Sequence, residues 1–207
     1  MIKWILITIA SLTFLAALLT IIVTRIEKQQ FRENERRTEK NQGQTFAGSE
    51  TAIVVFSRSG NTAVLAQHIA DRTAGTIFRI QAPRYELGIP GWLGALADAR
   101  NHTAEIVPEI IDLSGYRRVY LGAPIWLYSP APPIWQFVRY NDLHGKEIIL
   151  FNSFNSKFEQ KYIDDFEALV RSKGAVSFRH LYVKRGRMGN QLSTEQMLKN
   201  FDRQMPE

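Results

Sequence analysis

The 207-residue sequence predicts an α/β fold with a five-stranded parallel sheet, preceded by a single transmembrane helix. Three observations lead to this prediction. Short apolar runs alternate with segments of helical periodicity, which is typical of a parallel sheet with crossover helices. One apolar run, residues 52–56, continues through a hydroxyl-rich loop into a helix. Residues 4–24, ahead of this domain, contain no charged side chain.

The uncharged run begins at Trp4 and ends at Thr24. About 20 such residues in a helix cross the roughly 30 Å hydrocarbon layer of a bilayer. The apolar region of a signal peptide is shorter, about 7–15 residues, and ends at a small-residue cleavage site. No clear site of that type follows Val23. We therefore predict that residues 1–24 are an uncleaved anchor in the membrane.

Basic residues follow this run, whereas only Lys3 and the amino group precede it. The bias predicts a single-pass membrane protein whose C-terminal domain is cytoplasmic. The six basic residues either contact anionic headgroups or belong to a solvated linker of mixed charge. They are Arg25, Lys28, Arg32, Arg36, Arg37 and Lys40. Residues 25–50 are predicted to form a polar stalk, partly helical near the membrane and flexible over 41–48.

The remaining residues, 51–207, form the predicted domain. Its strands are expected at 52–56, 76–80, 118–121, 147–151 and 176–183. Its helices are expected at 62–73, 132–140, 158–173 and 194–204, with Gly75 ending the first. The connection 81–116 is long and contains a predicted helix at 93–103. Trp92, in this connection, either covers a site or packs in the core, and the core is favoured.

A loop rich in hydroxyl groups joins the first strand to the first helix. Unpaired amides and the helix dipole favour an anion at such a helix start, so the loop is a candidate phosphate site. Its residues are Ser57, Arg58, Ser59, Gly60, Asn61 and Thr62. Arg58 either contacts the phosphate or lies in solvent. An ordinary turn that caps a helix would have similar residues, and a capping role is also expected.

Several other kinds of site are excluded by motif or composition. The loop lacks the Gly-x-x-x-x-Gly-Lys of a Walker loop and the three glycines of a dinucleotide fingerprint. A cysteine-dependent phosphatase is excluded because the chain has no cysteine. The four histidines are scattered without ligand spacing, so no metal site is expected. The net charge of +6 is dispersed and accompanies no nucleic-acid-binding motif, so no nucleic-acid partner is expected.

The Ser-x-Ser-Gly-Asn-Thr loop resembles the phosphate loop of flavodoxins, which holds the 5′-phosphate of FMN. A second match lies downstream, in Tyr-Leu-Gly-Ala-Pro-Ile-Trp at 120–126 and Pro-Ala-Pro-Pro at 130–133. It looks like the flavin-flanking segment of that family. The resemblance covers residues 51–203 and implies FMN as cofactor. It also implies a doubly wound sheet of order 2-1-3-4-5, with the ligand at the switch point between strands one and three.

The resemblance implies two walls for the flavin ring. Pro124, Ile125 and Trp126 end the third strand, and Trp126 is the first choice for stacking, with Tyr128 the second. As residues two apart in an extended run share a face, either both or neither is expected to face the flavin. The loop after the fourth strand would form the other wall, through Asn152, Ser153, Phe154 and Asn155. Relatives commonly have glycines in both loops, where this chain has Leu127-Tyr128-Ser129 and Phe154.

These features together predict a membrane-tethered, FMN-binding protein that transfers electrons to a redox partner protein or a quinone. No catalytic residue of the protein is then required, because the flavin carries the chemistry. A flavin-dependent quinone or NAD(P)H oxidoreductase is one alternative. A non-redox binding module that keeps the fold is another.

Overall fold

A computed structural model of the protein describes residues 2–38, 48–187 and 190–205. Most of the segment predicted to be the flexible part of the stalk, residues 41–47, lies outside the described residues. The prediction of a flexible stalk at those positions therefore stays a prediction, as does the division of the chain into anchor, stalk and domain.

Five parallel strands form the sheet, in the order β2-β1-β3-β5-β6. The two residues of β4 pair antiparallel with the end of β3. When β4 is left out, this is the predicted order 2-1-3-4-5, which is confirmed. The strands are β1 (Thr51–Phe56), β2 (Thr76–Ile80), β3 (Arg118–Trp126), β4 (Ser129–Pro130), β5 (Glu147–Phe154) and β6 (Ser177–Lys184).

Six α-helices accompany the sheet in the described part of the chain, with a short 3-10 helix at Pro83–Tyr85. The helices are α1 (Ile2–Thr38), α2 (Asn61–Thr73), α3 (Ile89–Asp98), α4 (Pro132–Tyr140), α5 (Gln160–Ser172) and α6 (Thr194–Asp202). The bounds of α4 are those predicted. Helix α3 starts four residues before its predicted start, because Pro90 suits the first turn of a helix.

Two apolar cores lie on opposite faces of the sheet, because side chains alternate along each strand. Ala52, Val54 and Phe56 of β1 belong to the core that contains α4 and α5. Ile53 and Val55 belong to the core that contains α2 and α6. Every residue of β1 is buried, as expected of a central parallel strand.

Strands β3 and β5 extend further than the sequence predicts. Their ladder continues through the pair Pro124 and Ser153, so the segments predicted as loops belong to the strands up to Trp126 and Phe154. Proline donates no ladder hydrogen bond, but the carbonyl of Pro124 accepts one from Ala131 N at 2.9 Å. The extension places both predicted walls on the rigid sheet rather than on loops.

Helix α1 runs without a break from Ile2 to Thr38, well beyond the uncharged run. Its first part is long and apolar enough to cross a membrane, and a signal sequence near an N-terminus would also satisfy that criterion. Its second part packs against α2 and includes the buried residues Asn34 and Thr38. Residues 25–38 of the predicted stalk are thus helical throughout and in contact with the domain.

Candidate functional site

A cavity of about 610 Å³ lies at the carboxyl edge of the sheet, where β1 and β3 end side by side. Strand order reverses between these two strands, and ligands of open α/β sheets bind at such a switch point. The predicted site residues that line the cavity are Arg58, Ser59, Asn61, Pro124, Ile125, Trp126, Ser153, Phe154 and Asn155. The structure therefore brings the two sequence motifs and the end of β5 to one place.

The loop before α2 has the backbone expected of an anion site. Gly60 is the N-cap of α2, with φ of 86°, and no side chain caps the first-turn amides. Among the described residues, the hydroxyls of Ser57 and Ser59 have no hydrogen-bond partner. Ser59 lines the cavity and can donate to a ligand there, whereas Ser57 does not line it. Thr62 has a different role, because its hydroxyl lies 2.8 Å from that of Ser153 and joins the loop to β5.

The Arg58 side chain binds protein groups on both sides of the cavity. Its guanidinium donates to the carbonyls of Tyr85 at 3.1 Å and Gly88 at 3.2 Å, and it forms an ion pair with Glu27. Neither of the two predicted environments, a phosphate contact or free solvent, describes this arrangement. Arg58 instead connects the loop to the start of α3 and to α1.

Two amides of α1 also contact the loop. Asn34 Nδ2 donates to the carbonyl of Ser59 at 3.0 Å and to Asn61 Oδ1 at 3.1 Å. Gln30 Nε2 donates to the same Asn61 oxygen at 3.2 Å. A Cβ on Gly60 would lie 2.5 Å from the Cβ of Asn34, so this position needs glycine for its φ and for the close approach of α1.

Trp126 lines the cavity, and its ring is held by two other aromatic rings. The rings of Phe56 and Tyr85 meet it edge to face, with centroids 5.5 Å and 5.2 Å away. Burial and the neighbouring Asp98 raise the pKa of Tyr85, whose hydroxyl donates to Asp98 Oδ2 at 3.1 Å. A fixed indole at this position can present an aromatic wall to a flat ligand.

Tyr128 is not among the residues that line the cavity, so the expectation that it shares a face with Trp126 is wrong. The strand does not continue past Trp126, because Leu127 and Tyr128 form a two-residue turn between β3 and β4. Both have positive φ, 42° and 75°. The Tyr128 ring instead lies 5.0 Å from the Lys157 ammonium.

Asn152 was predicted in the second wall, but the structure directs its side chain elsewhere. It is fully buried, donates to the carbonyl of Ala123 at 2.7 Å and lies 2.8 Å from His180 Nε2. Ser153 and Phe154, nearer the end of β5, line the cavity, whereas the Asn152 side chain is used within the sheet. Asn152 joins β3, β5 and β6 below the cavity.

Helices α1 and α3 supply lining residues that the sequence analysis missed. Trp92 lines the cavity and is 54% exposed, so its favoured assignment to the core is wrong. The i, i+3, i+4, i+7 spacing of large apolar residues in α3 was a usable signal, although it does not reveal which face turns outward. The missed residues are Leu19, Thr20, Val23, Thr24, Glu27, Gly88, Ile89, Trp92, Ala95, Leu96, Ala99 and Leu127.

Among the described residues, no group of three or more histidine, aspartate or glutamate side chains is placed to hold a metal ion. The polar groups around the cavity are mainly hydroxyls, amides and one ion pair. This donor set suits an organic ligand with an anionic end better than a metal ion.

No protein-family model matches the chain, and no curated protein matches it significantly. Solved structures do resemble it. A candidate flavoprotein from Bacteroides uniformis is 21% identical, with a TM-score of 0.57 over 73% of this chain and 99% of that one. A flavoprotein from Lactobacillus acidophilus, crystallised with FMN, is 20% identical, with a TM-score of 0.51 over 64% and 93%.

A third similar structure is the Trp repressor binding protein of Bacillus subtilis, 15% identical, with a TM-score of 0.53 over 76% of this chain and 99% of that one. Identities this low establish a common fold and nothing finer. This structural similarity agrees with the observed strand order, which is that of flavodoxin. The domain that follows helix α1 therefore has the flavodoxin-like fold that these solved structures share.

Proposed function

We propose that this protein binds FMN at the carboxyl edge of its sheet and transfers electrons while tethered to a membrane by α1. The observation that carries the proposal is the cavity at the β1 and β3 switch point, lined by both motifs that resemble flavodoxin. Its volume is within the roughly 300–1,000 Å³ of small-molecule sites. Bound FMN would supply reversible electron transfer, and the protein would bind and shield it.

The residues around the cavity fit a flavin mononucleotide. The unpaired hydroxyl of Ser59 and the uncapped start of α2 suit a phosphate. Trp126 offers an aromatic face, and Ser153 and Asn155 offer polar groups at the opposite wall. The proposed partner is a redox protein or a quinone of the membrane, since a tether raises the effective concentration of partners beside it.

Topology belongs to the same proposal. The span covers residues 4–24, and the excess of lysine and arginine after it favours a cytoplasmic domain. Glu27, Gln30 and Asn34 bind the loop just beyond the span, which would hold the cavity close to the membrane surface.

One observation favours a second candidate, the non-redox binding module. Glu27 pairs with Arg58, and Asn34 and Gln30 bind Asn61, so side chains of α1 already use polar groups of the loop. In that case α1 would stay bound to the loop in place of a ligand, and the domain would serve as a scaffold without a flavin.

The absorption spectrum of the purified full-length chain in detergent separates these candidates. FMN is added, excess flavin is removed by desalting, and visible absorption and flavin fluorescence are recorded. Yellow protein with quenched fluorescence supports the proposal. A folded, colourless protein would overturn it and leave the non-redox module. Turnover of NAD(P)H or a quinone by the loaded protein would identify an oxidoreductase enzyme.

A matched pair of variants tests the location of the site. Ser59→Asp places a carboxylate in the loop and should weaken FMN retention at least about tenfold, about 1.4 kcal/mol, through charge repulsion. Ser177→Asp adds the same charge at the exposed start of β6, on the opposite edge of the sheet. That variant should retain FMN like the parent, and equal losses in both would argue against this location.

A further inference from the structure

Helix α3 is amphipathic in the reverse of the usual sense. Its small residues Gly91 and Ala95 face inward and are buried. Its large apolar residues lie outward at i, i+3, i+4 and i+7. These are Ile89, Trp92, Leu93 and Leu96, which are 47%, 54%, 54% and 38% exposed. A soluble domain normally buries the large residues and exposes the small ones, so this face needs a partner.

The inward face of α3 is fixed by close packing. A Cβ on Gly91 would overlap the backbone carbonyl of Glu86, and one on Gly94 would lie 2.9 Å from the carbonyl of Arg84. The helix cannot turn to bury its large residues without losing this contact. The outward apolar face is therefore a built feature of the fold.

The position of α3 indicates what covers this face. Ile89, Trp92 and Leu96 line the same cavity as Leu19 and Val23, which belong to the last turns of the uncharged run of α1. Residues 19–24 rise about 8 Å along the helix axis. Helices that lie in a membrane interface are buried about 5–10 Å deep, so with the proposed span ending at Thr24, α3 would lie at the depth expected of one.

The chemistry of the segment agrees with that depth. Residues 87–97 contain no charged side chain, and charges return at Asp98 and Arg100. Beside the helix, the turn at Leu127 and Tyr128 exposes two more apolar side chains, 38% and 41%. Tryptophan and tyrosine are the residues that favour the boundary between hydrocarbon and headgroups.

We propose that the outward face of α3 is inserted in the lipid bilayer interface beside α1, so that the cavity opens toward the membrane. This inference rests on the proposed role of α1 as membrane anchor, but not on FMN binding. Its partner is the bilayer itself. A second copy of the chain is the competing occupant, and the experiment below distinguishes the two.

Because the chain has no cysteine, every introduced cysteine can be labelled uniquely. Leu93→Cys tests the α3 face, and Trp92→Cys is a second test position. Leu12→Cys reports on the anchor, and Val176→Cys, 62% exposed, reports on an exposed site next to the opposite edge of the sheet. Each full-length variant carries a nitroxide in phospholipid nanodiscs that hold one copy. Collisions with oxygen and with a water-soluble nickel chelate are measured by electron paramagnetic resonance.

We expect labels at 92 and 93 to be less accessible to nickel and more accessible to oxygen than the label at 176. The label at 12 should show the same pattern as those at 92 and 93. If the label at 12 is protected from nickel but the labels at 92 and 93 are as accessible to nickel as the label at 176, the inference is overturned. The assignment of α1 as anchor would still hold. A label at 12 that is accessible to nickel would overturn the assignment of α1 as anchor, and this inference with it. Protection of α3 only in crowded vesicles would identify a second copy and would also overturn the inference.

Discussion

At the scale of single residues, the turn between β3 and β4 carries the clearest strain. Leu127 and Tyr128 both have positive φ, the conformation of a type I′ hairpin turn, which favours glycine or asparagine. Each residue with a Cβ in this region costs about 1–2 kcal/mol. The turn directly follows Trp126, so the strain is located at the wall of the cavity.

Tyr128→Gly should therefore raise the free energy of unfolding by about 1 kcal/mol, because glycine adopts positive φ without a steric penalty. The melting temperature in detergent would rise by about 2–4 °C. Tyr140→Gly, at the end of α4, is the control and should be neutral or destabilising. A loss of stability in Tyr128→Gly would mean that the contact with Lys157 outweighs the strain.

His180 gives the stability a pH dependence. Burial lowers its pKa to about 4 from the ordinary 6.5. Between these values the unfolded chain binds a proton that the folded chain does not, so stability falls as the pH is lowered from about 6.5 toward 4. At about 1.4 kcal/mol per pKa unit, the loss amounts to about 3 kcal/mol.

The measurement is the melting temperature at pH 7 and pH 4.5 for the parent and His180→Gln. The variant should lose less stability on acidification than the parent does. His144→Gln, at an exposed position, should behave like the parent. An unchanged pH dependence in His180→Gln would show that other groups cause the acid sensitivity.

At the scale of secondary-structure elements, the fit between α3 and the backbone before it depends on Gly91. Its missing Cβ leaves room for the carbonyl of Glu86. Gly91→Ala should displace the helix and cost about 1–3 kcal/mol of stability, as overpacking does. Gly115→Ala is the matched control, since its Cβ would meet nothing within 4 Å. Equal melting temperatures for the two variants would contradict this account.

The elements also show how far the sequence could predict the structure. Strand β1 and helix α4 are marked by local signals, a continuous apolar run and a start with proline, and both were predicted closely. The ends of β3 and β5 depend on pairing with each other, which no local pattern reveals. Likewise, the outward orientation of Trp92 depends on which face of α3 contacts the backbone of Glu86.

The loop at 57–62 and Trp126 could be predicted to lie beside one cavity because their residues are contiguous and chemically distinctive. Their role in binding phosphate or flavin stays a prediction. Glu27, Gln30 and Asn34 were not found, because their role depends on where a helix lies relative to a loop roughly thirty residues away. Asn152 was misplaced because β5 was predicted to end too early. Tyr128 was misplaced because the turn that contains it was not predicted.

At the scale of the whole molecule, α1 controls the electrostatics of the loop. Glu27 neutralises Arg58, so Glu27→Gln should leave the guanidinium charge available to an anion. We expect FMN to bind about 3–10-fold more tightly, with a stronger dependence on salt, because the gain is coulombic. Titration of full-length protein in detergent, followed by flavin fluorescence, measures this change.

The control for that titration is Glu33→Gln, which removes the same charge from an exposed position on α1. It should bind FMN like the parent. Weaker binding in Glu27→Gln would show that Glu27 positions Arg58 for the ligand rather than competing with it.

The unbroken helix from Ile2 to Thr38 has a consequence for kinetics. A domain on a flexible tether reaches its partners by sampling many heights and orientations above the membrane surface. If α1 is the membrane anchor proposed above, a domain on this continuous helix, which also binds the domain through Asn34, would be held at one height and one tilt. Encounters with membrane partners would then be a two-dimensional search. Their rate would depend on the density of partners in the membrane and on its fluidity, and not on the volume of the surrounding solution.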